Sequence, residues 1–208
     1  MSRVTAELDR LHRKPERGGD RALLDEVLDE VTVGTLGTVV DGLPWSVPML
    51  FARDGDRIVL HGSTGAGALR HVADGAPVTL TAFALDGIVV ADTLFDHSAN
   101  YRSVVVRGTL SSVHSDSGAA LDALSDKLIP GRVAEVRGHT RKELAATATL
   151  ILPIVDGQWI AKARGGPPGA PEDPSAWTGV VPVRTVYDAP VTATGGEPPE
   201  SVRRLAGG

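Results

Sequence analysis

His61 closes an apolar run, Ile58-Val59-Leu60, and opens into Gly62-Ser63-Thr64-Gly65-Ala66-Gly67, with a short helical pattern led by Leu69 and Val72 behind it. Small residues between a strand and a helix N-terminus leave backbone N–H groups free to face an anion, and the helix dipole favours negative charge there. The candidate donors are the backbone N–H groups of residues 62–67 and the hydroxyls of Ser63 and Thr64. The outer glycines match those of a phosphate-binding P-loop. Ala68 and Leu69, however, occupy the places of the Lys and Ser/Thr that hold the terminal phosphates, which excludes an NTPase. Glycines at 62, 65 and 67 also have the wrong order for a dinucleotide fingerprint. A connector that binds nothing has the same composition, so spacing alone leaves both readings open.

The other reactive side chains are scattered. Of six histidines, His61, His71 and His97 lie nearest this loop, and none makes the H-x-H or H-E-x-x-H spacing of a metal site. A histidine at a strand end serves either as a hydrogen-bonded structural residue or as a ligand-facing group. Ser63 and Ser103 lie outside any G-x-S-x-G pattern, so their hydroxyls read as hydrogen-bonding groups rather than nucleophiles. Arg102 follows Tyr101 at the start of a strand-like run. Lys162 and Arg164 alternate, which puts two like charges on one strand face, facing either solvent or an anion.

These residues need strands to hold them. Asp41-Gly42, Asp54-Gly55, Asp86-Gly87 and Asp156-Gly157 each separate two β-branched runs, the strongest short signal for a hairpin. Four such hairpins predict an antiparallel meander. Asp74-Gly75 reads instead as the C-terminal glycine of the short helix. Two amphipathic helices are expected. Asp20 caps residues 20–31, with Leu23, Leu24, Val27, Leu28 and Val31 on one face. Residues 117–129 place Ala120, Leu121, Leu124 and Leu128 together before Pro130-Gly131. Tyr101–Val113 reads as one long strand. Thr140 and Glu143 have capping-box spacing. Residues 1–19 are read as a polar arm, 20–188 as one domain and 189–208 as a flexible tail expected to fray.

Composition narrows the function classes. The net charge of −5 argues against nucleic-acid binding. The absence of cysteine removes disulfides, thiolate metal sites and cysteine nucleophiles. The charged first 14 residues lack an apolar core for a signal peptide, and no apolar run is long enough to span a bilayer. A soluble, cytoplasmic protein is expected.

Five motifs in order complete the picture: Leu60-His61-Gly62-Ser63-Thr64-Gly65, His97 to Val104, Pro130-Gly131-Arg132, Lys162 to Pro168, and Trp177 to Pro182. Together they resemble the pyridoxamine 5′-phosphate oxidase-related proteins. Within that family they resemble the flavin-nucleotide-binding branch that includes nitroimidazole-resistance proteins, over about residues 20 to 185. The resemblance implies an antiparallel split β-barrel, mainly β with flanking helices, forming a homodimer with FMN in a cleft between subunits. It implies that Pro48, Met49 and Leu50 line the isoalloxazine and that His61, Gly62, Ser63 and Thr64 approach the phosphate and ribityl chain. Arg102 and Ser103 would arrive from the second subunit, and Lys162, Arg164 and Trp177 would close the site. His61 is the implied functional histidine.

Where the true oxidases carry Ser-Arg-Lys at the phosphate loop, this chain has Ala66-Gly67-Ala68, so pyridoxamine phosphate oxidase activity is not expected. The phosphate must then rely on backbone donors, on Arg70 or on Arg132. The implied activity is a flavin-dependent oxidoreductase acting on a small organic substrate. A non-catalytic flavin carrier or sensor, or a relative that binds deazaflavin or haem, is the alternative.

Overall fold

A computed structural model describes residues 14–64, 72, 73, 75–113 and 115–207. Ten strands form one sheet: β1 (Gly18–Gly19), β2 (Val33–Val40), β3 (Leu43–Asp54), β4 (Arg57–Ser63), β5 (Pro77–Val90), β6 (Ser98–Thr109), β7 (Ser111–Ser112), β8 (Thr147–Pro153), β9 (Trp159–Arg164) and β10 (Gly179–Pro182). Their order is β1-β9-β6-β5-β2-β3-β4-β8-β7, with β10 beside β5, and every pairing is antiparallel. The sheet curls into the expected split β-barrel. Four helices accompany it among the described residues: α1 (Arg21–Glu30), α2 (Ser117–Leu128), α3 (Arg141–Ala146) and α4 (Glu200–Ala206). None is long and apolar enough to cross a membrane.

The main core lies inside the curled sheet. Leu36, Phe51, Leu60, Leu80, Val104 and Leu150 are fully buried there, and Leu24, Val27 and Leu28 of α1 join them. Each such side chain contributes about 1.5–3 kcal/mol through loss of contact with water. Asp20 caps α1 as expected, its carboxylate accepting from the Leu23 N–H at 3.1 Å. No glycine closes the other end. Instead Lys127 of α2 donates to the carbonyls of Leu28 and Val31 at 2.7 and 2.6 Å while lying 3.6 Å from the centre of the Phe51 ring. On the opposite sheet face, Ala120 and Leu124 of α2 pack against Ala52, Val59 and Ile151.

Two of the four Asp-Gly signals make hairpins. Asp41 and Gly42 both take positive φ (52° and 77°) between the paired residues Val40 and Leu43, a type I′ turn. At the second, Asp54 pairs with Arg57, so Gly55 (φ 61°) and Asp56 form the turn, one residue later than expected and of type II′ geometry.

The other two need correction. Asp86-Gly87 makes no turn: β5 runs unbroken through it, and Asp86 is the extra residue of a β-bulge between the pairs Leu85–Tyr101 and Gly87–Asn100. Gly87 is required by packing, since a Cβ there would lie 2.9 Å from Val180 and 3.1 Å from the Val181 carbonyl oxygen. Asp156-Gly157 does turn the chain (Gly157 φ 77°), but it connects β8, beside β4, to β9, beside β6. The predicted strand 101–113 divides at buried Leu110, where β6 gives way to β7. Near the C-terminal end the chain forms α4. Ser201 of α4 is fully buried and bonds the Glu135 carboxylate through both its N–H and its hydroxyl. Gly18-Gly19, at the end of the expected arm, pairs with β9. Gly75 (φ 96°) has its N–H on the Val72 carbonyl, as a helix-ending glycine would, while Asp74 lies outside the described residues.

Candidate functional site

The site begins where β3 and β4 part. They pair as far as Phe51–Leu60. Beyond that point residues 43–50 turn to β2, while β4 continues against β8 through His61–Thr149, Gly62–Ala148 and Ser63–Thr147. His61, Gly62 and Ser63 are therefore strand residues, and the Thr64 N–H donates to the Ala146 carbonyl at 3.3 Å. This corrects the expectation that an open loop of donors starts at residue 62. Ala66-Gly67-Ala68 and Arg70 are outside the described residues.

Alternation decides what β4 and β8 present on their outer side. Ile58, Leu60, Leu150 and Leu152 point into the core, so Val59, His61, Ser63, Thr147, Thr149 and Ile151 point toward α2 and α3. A cavity of about 450 Å³ lies on that side. Its polar lining consists of the hydroxyl residues Ser63, Thr64, Ser112, Ser117, Thr147 and Thr149, together with Arg141 of α3. Thr140 and Glu143 hold Arg141 in place by the expected capping box: the Glu143 N–H donates to the Thr140 hydroxyl at 3.2 Å and the Thr140 N–H to the Glu143 carboxylate at 2.8 Å. Arg137 beside Glu143 holds that carboxyl well below the usual carboxylate range.

Two buried polar atoms in this region lack a hydrogen-bond partner, His61 Nδ1 and Thr149 Oγ1, on residues directly opposed across β4 and β8. Thr149 is only 2% exposed. Leaving a buried polar group unpaired costs about 1–3 kcal/mol. The Thr64 and Thr147 hydroxyls already donate to the Ala146 and Glu143 carbonyls. A hydroxyl-rich lining with Arg141 and the unpaired Thr149 hydroxyl suits a phosphorylated sugar.

The remaining predicted residues divide between the two sheet faces. The pairs Leu50–Val33, Pro48–Thr35, Thr35–Thr81, Phe83–Ser103 and Ser103–Lys162 place Pro48, Leu50, Ser103 and Lys162 on one outer face. Met49 points the other way and packs on the core. Arg164 is bound to the Asn100 side-chain oxygen at 2.7 Å, and Trp177 is exposed, its ring over Gly179.

Arg102 faces away from Ser103. Asp86 accepts from its Nε and Nη2 at 3.1 and 2.8 Å, Glu26 and Glu30 of α1 accept from Nη1, and Glu30 also accepts from Nη2. Those carboxylates push its pKa above the ordinary value. Arg132 bonds Glu135 on the turn that receives α4. Sequence reasoning missed Arg141 and Thr149. Their signals were the capping box that fixes α3 and the alternation Thr147, Thr149 along β8.

A family model described as pyridoxamine 5′-phosphate oxidase matches residues 20–158. The chain belongs to the pyridoxamine 5′-phosphate oxidase family. The match takes in β2 to β8 and stops short of Lys162 and Arg164. Among solved structures of this fold, the FAD and haem binding protein from Mycobacterium smegmatis is 44% identical, with TM-score 0.86, over 90% of this chain and 95% of that one. The flavocytochrome Anf3 from Azotobacter vinelandii is 29% identical, with TM-score 0.83, over 95% and 96%. A protein from Bacteroides thetaiotaomicron assigned to 5-nitroimidazole antibiotic resistance shares the fold at 18% identity and TM-score 0.57, over 69% of this chain and 84% of that one. No curated protein matches the chain.

Proposed function

We propose that this member of the family binds a flavin nucleotide and haem and exchanges electrons through them, as a flavocytochrome-like protein. The observation that carries this reading is the 44% identity, over nearly the full length of both chains, to a protein that binds FAD and haem. The nucleotide inferred is accordingly FAD rather than the FMN implied by sequence resemblance. Electron exchange takes precedence over oxidation or reduction of a small organic substrate for the same reason.

The chain's own groups fit such cofactors. The hydroxyl-lined cavity with Arg141 suits the phosphate and sugar portion of a nucleotide, and Thr149 Oγ1 has no other partner. Arg141 would supply the charge that the alanines of the phosphate loop lack. For haem, the described histidines differ. The ring Nδ1 of His97 accepts from the Ala91 N–H at 3.2 Å, which leaves the proton on its other nitrogen, and His139 Nε2 faces Asp122 at 3.2 Å. His61 alone among the described histidines has a buried Nδ1 with no partner, so it is the residue we assign to touch a cofactor, where it would hold the haem iron or hydrogen-bond the flavin. When bound, a flavin supplies one- and two-electron chemistry and haem iron supplies one-electron exchange. Val33, Leu50, Phe83 and Leu85 leave the outer face of β2, β3 and β5 apolar and exposed, which supports the homodimer.

The test is an absorption spectrum of the purified protein after incubation with FAD and haemin and removal of excess. Flavin and Soret bands together are expected, with the Soret band weakened or shifted in His61→Ala. Absence of both chromophores from the wild type would refute the reading. Flavin without haem would restore the simple flavoprotein alternative.

A further inference from the structure

A second polar groove lies beside the β2–β3 hairpin, on the outer sheet face that also carries Pro48, Leu50, Ser103 and Lys162. Its floor is a cross-strand row. Ser46 of β3 pairs with Gly37 of β2, Gly37 pairs with Thr79 of β5, and Thr79 pairs with Arg107 of β6. Directly opposed residues share a sheet face, so two hydroxyls and a guanidinium line up on one side. All four residues line an open groove of about 870 Å³, and Trp45 and Gln158 form part of its wall.

Arg107 is the unexplained member. Its backbone N–H is used by the Gln158 carbonyl at 2.8 Å, but its side-chain Nη1 is buried without a hydrogen-bond partner, and no ion pair to it occurs among the described residues. A buried guanidinium N–H is costly unless it meets an acceptor, and an anionic acceptor gives the strongest bond. Gly37 keeps the floor open. A Cβ there would come no closer than 3.8 Å to other atoms, so a side chain would project into the groove without distorting the strand.

We infer that this groove binds the phosphate or carboxylate group of a small anion, with Arg107 as its cation and Thr79 and Ser46 as flanking hydroxyls. The direct test is calorimetric titration of the full chain with inorganic phosphate, pyrophosphate and citrate. One-to-one binding of at least one probe is expected, and preference among the three decides between phosphate and carboxylate. Arg107→Met should weaken binding by about ten- to a hundredfold, the loss of a charge-assisted bond. Gly37→Val should weaken it similarly while leaving the melting temperature near that of the wild type. In a chain that also carries Arg141→Ala, so that the other cavity cannot contribute, the Arg107-dependent binding should persist.

No binding of any probe to the wild type would overturn the inference. So would unchanged affinity in Arg107→Met, or loss confined to Arg141→Ala, which would move the anion to the other cavity. If the wild type binds no probe but self-associates, and Arg107→Met abolishes that association, the acceptor is a carboxylate of a second copy and the small-anion site falls.

Discussion

Replacing Arg102 with leucine separates a structural role from a cofactor-binding one. The guanidinium is 19% exposed and bridges α1 to the bulge of β5. The bidentate contact to Asp86, itself 35% exposed, is the best protected, and a charge-assisted bond of that kind contributes about 1.5–3 kcal/mol. Glu26 and Glu30 are 57% and 52% exposed, so water recovers most of what they lose, leaving about 0.3–1 kcal/mol each. Removing the cation also strands three carboxylates together. The expected loss is about 2–5 kcal/mol, which for a urea slope of about 2 kcal/mol/M lowers the midpoint by roughly 1–2.5 M without changing the slope. Added salt should recover part of the loss by screening the carboxylates, and Glu30→Gln in the same chain should recover part as well. A variant that unfolds at the wild-type urea concentration but loses flavin would refute this account and return Arg102 to the cofactor.

Lys127→Met should cost about 1–3 kcal/mol in urea unfolding, because the Leu28 and Val31 carbonyls lose their donor. Burial lowers the Lys127 pKa from 10.5 to about 8, so between those values the unfolded chain holds a proton that the folded chain has released. Wild-type stability relative to the methionine variant should therefore rise as pH goes from 8 to 10.5, and a fall across that window would contradict it. Gly87→Val should clash with Val180 and the Val181 carbonyl, release β10 from β5, and raise proteolysis after residue 164 before it lowers the melting temperature. Unchanged protease resistance would show that β10 is held by other contacts.

What could be read from sequence was what neighbours in sequence determine. Asp20, the Thr140–Glu143 box and the α1 stripe are set within one or two helical turns. The Asp-Gly pairs were less dependable because the dipeptide reports only that a glycine is needed. At 42 it serves a turn and at 87 a close strand crossing, and the difference lies in β10, about 90 residues further on. Arg102 looked available because its carboxylates on α1 lie 72 and 76 residues away. The Arg141 cavity was hidden for the same reason, since β4, β7, β8 and α3 meet only in three dimensions.

The position of β9 has a consequence for how the chain can be divided. The family match ends at residue 158, one residue before β9 begins. A chain cut there would keep β6 but strip the strand that covers residues 101–106 of it, leaving Val104-Val105-Val106 on a bare edge with unsatisfied N–H and C=O groups. Long apolar edges of that kind recruit strands from other molecules. The segment after residue 158 thus covers an edge that would otherwise be open to strands from other molecules.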